Sequence, residues 1–249
     1  MAAEPSGLFV SFEGIDGSGK STQARLLAER LRAQGREVVL TREPGGSPGA
    51  EEIRRLVLTG DRGRWSAETE ILLFTAARRD HLERTIRPAL DRGAVVITDR
   101  FADSTRLYQG TTRGDLRATV DRLHALMIGV EPDLTFVIDM DPARALARSL
   151  RRLGTPPEPA EVALQEVLEV LRLPAEDSLA PEAALLAPAA PPEDRFETFG
   201  LAFQERIRDG FLALARAQPA RIAVIDGDRP EAEVAADVAA LALSRLAPA

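Results

Sequence analysis

Cysteine is absent from the 249-residue chain. Without thiols there can be no disulfide, no thiolate nucleophile and no cysteine-ligated zinc. Histidine occurs only as His81 and His124, too few for a cluster of imidazole ligands, and each is expected on a helix surface or at an interface. No apolar run approaches the ~20 residues of a membrane-spanning helix. The opening Met1-Ala2-Ala3-Glu4-Pro5 puts no basic stretch ahead of its short apolar segment, so no secretory leader is read and a cytoplasmic protein without a membrane partner is expected. Positive charge is also in deficit. The chain has 32 Lys+Arg against 39 Asp+Glu, a net charge of -7 and a pI of about 5.1, the reverse of what phosphate-backbone binding needs, and no nucleic-acid partner is expected. Lysine is the scarcest of the charged residues: a single one, Lys20, stands among the 32 basic residues.

That lysine lies in Gly14-Ile15-Asp16-Gly17-Ser18-Gly19-Lys20-Ser21-Thr22, a G-x-x-x-x-G-K-[ST] loop. Glycines there let successive backbone N–H groups turn inward around phosphate oxygens. A compact ammonium on a flexible stem suits the β/γ-phosphates better than a planar guanidinium does, and the Ser21 hydroxyl is placed for Mg²⁺. The flanks agree. Residues 8–12 (LFVSF) form a short β-prone run, and Ala24, Leu27, Ala28 and Leu31 then recur at helical spacing before a capping Gly35. Strand, turn and helix set the phosphates on a helix N-terminus, so the loop is read as binding a nucleoside triphosphate.

Further strands are expected at residues 37–40, 94–98, 134–138 and 221–225, separated by helical patterns. Residues 51–58 and 115–127 read as helices, Ser66 as the N-cap of another, and Asp141-Pro142 as the cap and first turn of one running to Arg152. Five strands with long crossovers make an α/β fold of the P-loop NTPase kind, a mainly parallel five-stranded sheet with helices on both faces. At strand ends, Arg42 and Glu43 of Thr41-Arg42-Glu43-Pro44-Gly45-Gly46 stand either in a ligand crevice or in a solvated turn. Asp99 occupies a Walker-B-type Mg²⁺ position, with Arg100 facing phosphate. Residues 103–110 are read as a polar, glycine-ended loop. Phe74 and Arg78 share a helix face, which suits either holding a flat base or a core ring beside a solvated arginine.

Taken in order, GIDGSGKST, TREPGG at 41–46, LLFTAAR at 72–78, DRFADST at 99–105, YQG at 108–110 and DRFE at 194–197 resemble the thymidylate kinase family of P-loop nucleoside monophosphate kinases. The resemblance implies ATP + dTMP giving ADP + dTDP with Mg²⁺, and a homodimer. It places Lys20, Asp16, Arg100, Arg151 and Arg195 in catalysis, and the 14–22 loop with Arg148 on ATP. On dTMP it places Asp16 (the sugar 3′-hydroxyl), Arg42 and Arg100 (the phosphate), Phe74 (stacked on thymine), Arg78, Ser104, Thr105, Tyr108 and Gln109; Ser21 and Asp99 take the metal. Some members carry an arginine in the loop where this chain has Gly17; those without one supply arginines from a lid, here Arg148, Arg151, Arg152 or Arg195. Phe101 stands where the family usually has Tyr or His. The whole chain, 1–249, is expected to be one domain with a lid over about 148–200, carrying an Ala/Pro/Glu-rich insertion at about 155–193 that is either a tolerated expansion or a docking helix. The alternatives are another deoxynucleoside or nucleoside monophosphate kinase, or a regulatory P-loop ATPase. A guanine-reading N-K-x-D motif is impossible with Lys20 the sole lysine.

Overall fold

The computed structural model describes residues 7–60, 64–110, 114–152 and 200–246. Five strands, β1 (Phe9–Glu13), β2 (Val38–Arg42), β3 (Val95–Asp99), β4 (Leu134–Asp139) and β5 (Ile222–Asp226), form one sheet in the order β2-β3-β1-β4-β5. All four pairings are parallel. Register aligns Phe12 and Arg42 with Asp99, so the polar residues that end these strands arrive together at the carboxyl edge.

Period-two side chains divide the core. Leu8, Val10 and Phe12 pack with α1 (Lys20–Ala33) and the terminal helix Glu231–Arg245 on one face. On the other, Phe9 and Val96 meet Leu82 and Ile86, while Val137 meets Leu107, Phe211 and Leu214. Between β2 and β3 run α2 (Pro48–Leu58), α3 (Ala67–His81), a π-helical turn (Leu82–Ile86) and α4 (Arg87–Asp91); then follow α5 (Ala102–Tyr108), α6 (Arg117–Met127), α7 (Pro142–Arg152), α8 (Leu201–Ala217) and α9 (Glu231–Arg245).

The expected caps are present. Ser66 Oγ accepts from Thr69 N at 3.1 Å and Asp141 Oδ1 from Arg144 N at 3.0 Å. Gly35, at φ 79°, closes α1. One expectation changes: residues 102–108 are a helix rather than a loop, while α8, the π-helical turn and α4 lie where the sequence suggests no element. The polar composition of α5 hides it, because every residue in it is buried. Asp103 and Arg106 are satisfied by Arg221, Asp121 and Glu131, partners remote in sequence.

Candidate active site

The loop between β1 and α1 wraps the start of α1. Lys20 is buried, and its Nζ donates to the Ile15 carbonyl at 2.7 Å. Burial, aided by Arg100, pushes its ammonium down to about 8. Ser21 Oγ donates to Asp99 Oδ2, whereas Asp99 Oδ1 is buried without a partner among the described residues. A cleft of about 840 Å³ opens over this edge of the sheet. Gly17 is obligatory: at φ 82° a Cβ would sit 2.0 Å from the Ala145 carbonyl oxygen, so the loop has no room for a side chain at this position.

Against the loop lies Arg100, at φ 70° the one non-glycine residue with positive φ among those described. That conformation costs about 1–2 kcal/mol in an L-residue. It is held by Arg100 N donating to the Phe12 carbonyl at 2.9 Å and by Thr98 Oγ1 donating to the Arg100 carbonyl at 2.9 Å. The guanidinium then lies over the Tyr108 ring, 5.0 Å from its centroid, donates to Asp16 Oδ1 and reaches Ser104 Oγ at 2.9 Å. Tyr108 OH donates to Asp16 Oδ2 at 3.1 Å. Burial works against the Asp16 charge, but Arg100 and Lys20 outweigh it and hold the carboxyl below its usual range.

In the same cleft, Phe74 packs with Val57 and Leu58. Arg78, at 4% exposure, is buried rather than solvated. It stacks over Phe101 at 5.1 Å, donates through Nε to Glu43 Oε2 at 2.7 Å and through Nη2 to Thr105 Oγ1 at 3.0 Å. Gln109 Nε2 donates to Glu70 Oε2 at 3.4 Å. A phosphate-binding loop and an arginine-bearing pocket thus share one cavity. A family model described as thymidylate kinase matches residues 12–175. The chain belongs to the thymidylate kinase family.

The thymidylate kinase of Dinoroseobacter shibae is 62% identical over 234 residues, 94% of this chain and 95% of that one. That of Ruegeria pomeroyi is 59% identical over 97% of both chains. The crystal structure of the Ehrlichia chaffeensis thymidylate kinase matches with a TM-score of 0.65 at 32% identity, covering 96% of this chain and 99% of that chain. These coverages make the relatives nearly equal to this chain in length.

Of the site residues the thymidylate kinase resemblance names, the cleft gathers Asp16, Gly17, Gly19, Lys20, Ser21, Thr22, Arg42, Phe74, Arg78, Asp99, Arg100, Ser104, Thr105, Tyr108, Gln109 and Arg148. Gly14, Ile15 and Ser18 do not line it; Ile15 and Ser18 are buried behind the loop. Arg42 is exposed, with Glu51 Oε2 at 3.4 Å. Arg148 reaches the loop, its Nη2 3.9 Å from where a Gly19 Cβ would be, while Arg151 is exposed and off the cleft. Arg195, the 155–193 segment and the side chain of Arg152 lie outside the described residues. Phe101 is buried edge-on against Phe9 at 5.0 Å, a packing role that accounts for an apolar ring at that position. Both histidines are buried, His81 fully, which corrects the expected surface placement.

Sequence reading passed over Glu13, whose only signal is a carboxylate in an otherwise apolar strand. It is fully buried and accepts from Phe101 N at 2.8 Å and Ser104 Oγ at 2.6 Å. Burial, with Asp103 adding to it, pushes its carboxyl up to about 7 from an ordinary 4.5. The fold therefore favours the protonated form: this contribution to stability is complete below 4.5 and lost as pH rises through about 7. Glu13→Gln, neutral at every pH, should melt above wild type at pH 8, by on the order of 2–3 kcal/mol, and this gain should shrink steadily as the pH is lowered to 5. A difference in Tm that stays constant with pH would show that Glu13 is ionised throughout.

Proposed function

We infer that this chain transfers the γ-phosphoryl group of ATP to dTMP, giving ADP and dTDP. The observation that carries the reading is the shared cleft, lined by Lys20 together with Arg100, Arg78 and Phe74. Phosphoryl transfer asks for alignment and charge neutralisation rather than covalent catalysis. The acceptor phosphate is already an anion, so no strong general base is needed.

In this reading the 14–22 loop binds the ATP phosphates and Lys20 neutralises the β/γ-oxygens. Arg100, with Arg42, clamps the dTMP phosphate. Phe74 stacks on thymine, Arg78, Ser104, Thr105 and Gln109 meet its polar edge, Tyr108 walls the sugar, and Asp16 receives the 3′-hydroxyl. Mg²⁺ fits the oxygen set at the strand edge: the Ser21 hydroxyl lies against Asp99, whose buried Oδ1 lacks a partner among the described residues, and Mg²⁺ is commonly held by one carboxylate, waters and substrate phosphates. When bound it supplies charge neutralisation on the transferring group. Arg148, already over the loop, and the lid arginines Arg151 and Arg195 add cations when the lid closes. The chain acts as one domain, 1–249, with the lid at about 148–200.

A coupled ADP-release assay with dTMP, dUMP, dCMP, dGMP, UMP and thymidine tests the assignment. A clear dTMP preference is expected. Turnover of thymidine but not dTMP would make the protein a nucleoside kinase, and ATP binding without acceptor turnover a regulatory ATPase.

The protein is a cytoplasmic homodimer in this reading. Leu72 on α3 is 58% exposed and Leu126 on α6 77% exposed, and the two helices are tied by Arg79 Nη1 donating to the Met127 carbonyl at 2.6 Å. Pairing of these exposed leucines with a second copy of the chain buries both. Light scattering should give twice the chain mass for wild type and the chain mass for Leu72→Arg/Leu126→Arg; a monomeric wild type overturns the dimer. Among the described residues no helix is long and apolar enough to cross a membrane.

A further inference from the structure

His81 has no part in the reading above, yet it is fully buried. Its Nδ1 lies 3.0 Å from Glu43 Oε1 and its Nε2 2.8 Å from Thr41 Oγ1. Glu43 is itself buried, and its second oxygen, Oε2, takes the Nε–H of Arg78 at 2.7 Å. A carboxylate paired with arginine only accepts, so Nδ1 of His81 carries a proton toward it, and Nε2 shares a hydrogen bond with the Thr41 hydroxyl. The ring also sets the 41–46 turn: Gly46, at φ 84°, passes so close that a Cβ there would stand 2.4 Å from His81 Nε2.

We propose that His81 and Glu43 are positioning residues that fix the Arg78 guanidinium for the acceptor's base. With both carboxylate oxygens engaged, Glu43 cannot rotate, so the plane of Arg78 is held from its Nε edge by Glu43 and from Nη2 by Thr105 Oγ1. Arg78 also lines the cleft, so its orientation decides how it meets the base. Without the imidazole, Glu43 Oε1 is left buried and unpaired, and the carboxylate reorients at the expense of Arg78. The inference rests on the reading that Arg78 addresses the acceptor base.

Steady-state kinetics on the full chain test it. His81→Leu should raise KM for dTMP between about 10- and 100-fold, the scale of losing one hydrogen bond to a charged group, with KM for ATP unmoved and kcat at saturating dTMP largely kept. His81→Asn, which returns an N–H donor near the Nδ1 position, should recover most of the loss. Arg78→Ala should itself raise KM for dTMP, and adding His81→Leu to it should cost little more, because the imidazole acts through the arginine. Equal shifts in both KM values, or full additivity in the double variant, would make His81 merely structural and overturn the proposal. An unchanged KM for dTMP in Arg78→Ala would instead overturn the site reading beneath it. Should His81→Leu fail to fold, Glu43→Gln carries the same expectation: a higher KM for dTMP alone supports the proposal, and an unchanged one refutes it.

Discussion

Lys20→Ala is expected to lower kcat/KM by about 10³-fold or more, as loss of a preorganised cation from a phosphoryl-transfer site does, equivalent to about 4 kcal/mol of transition-state stabilisation. The companion Lys20→Arg is more telling. This chain uses arginine at every other basic position, so a general need for positive charge would make the replacement mild. The lysine stem is buried, however, and its Nζ sits 2.7 Å from the Ile15 carbonyl inside the loop. A planar fork is longer and wider than the ammonium it would replace, so it must displace either the loop backbone or the phosphates. Lys20→Arg should therefore lose at least about 10²-fold in kcat, the scale for removing one preorganised donor, with the circular dichroism spectrum unchanged. Rapid-quench measurement of dTDP formation in a single turnover separates this from slow product release. A Lys20→Arg enzyme with near-wild-type turnover would mean that only the charge matters.

The second large effect is expected at Arg100. Arg100→Ala and Arg100→Gly should both lower kcat/KM for dTMP by about 10²–10⁴-fold, since each removes the charge-assisted partner proposed for the acceptor phosphate, while KM for ATP changes far less. The two variants should part company in stability. At φ 70° alanine keeps the backbone strain and glycine releases it, so the glycine variant should be the more stable by about 1 kcal/mol. Both leave Asp16 with Tyr108 but without its guanidinium partner, and both should melt below wild type. Equal Tm values for the two would show that the positive φ is a free choice of this turn. An unmoved KM for dTMP would take Arg100 out of the acceptor site.

Much of the site was legible because its signals are local. The 14–22 loop, the polar ends of strands and the caps at Ser66 and Asp141 each depend on residues within one or two turns of each other, and the structure places them where the sequence predicts. Phe74 and Arg78 shared a helix face by spacing alone, but whether Arg78 was solvated could not be read. Its burial comes from Glu43, thirty-five residues away in the chain, and from Phe101 beneath it. Helix α5 failed the reading for the same reason. Asp103-Ser104-Thr105-Arg106 looks solvated in isolation, and only Arg221, Glu131 and Asp121 neutralise its rear side. Ser104, Thr105 and Tyr108 thereby line the cleft.

The sequence by itself determined the fold class, the phosphate loop, the carboxylate Asp99 at the end of β3 and the family, since each is written in short-range pattern and spacing. Tertiary structure alone decided which charges are buried and paired: Arg100 against Asp16 and Tyr108, Arg78 through Glu43 to His81, and Glu13 beneath the Arg100 turn. The physical reason is that the cost of burying a charge is set by partners brought in from distant strands, and no local window of residues contains them.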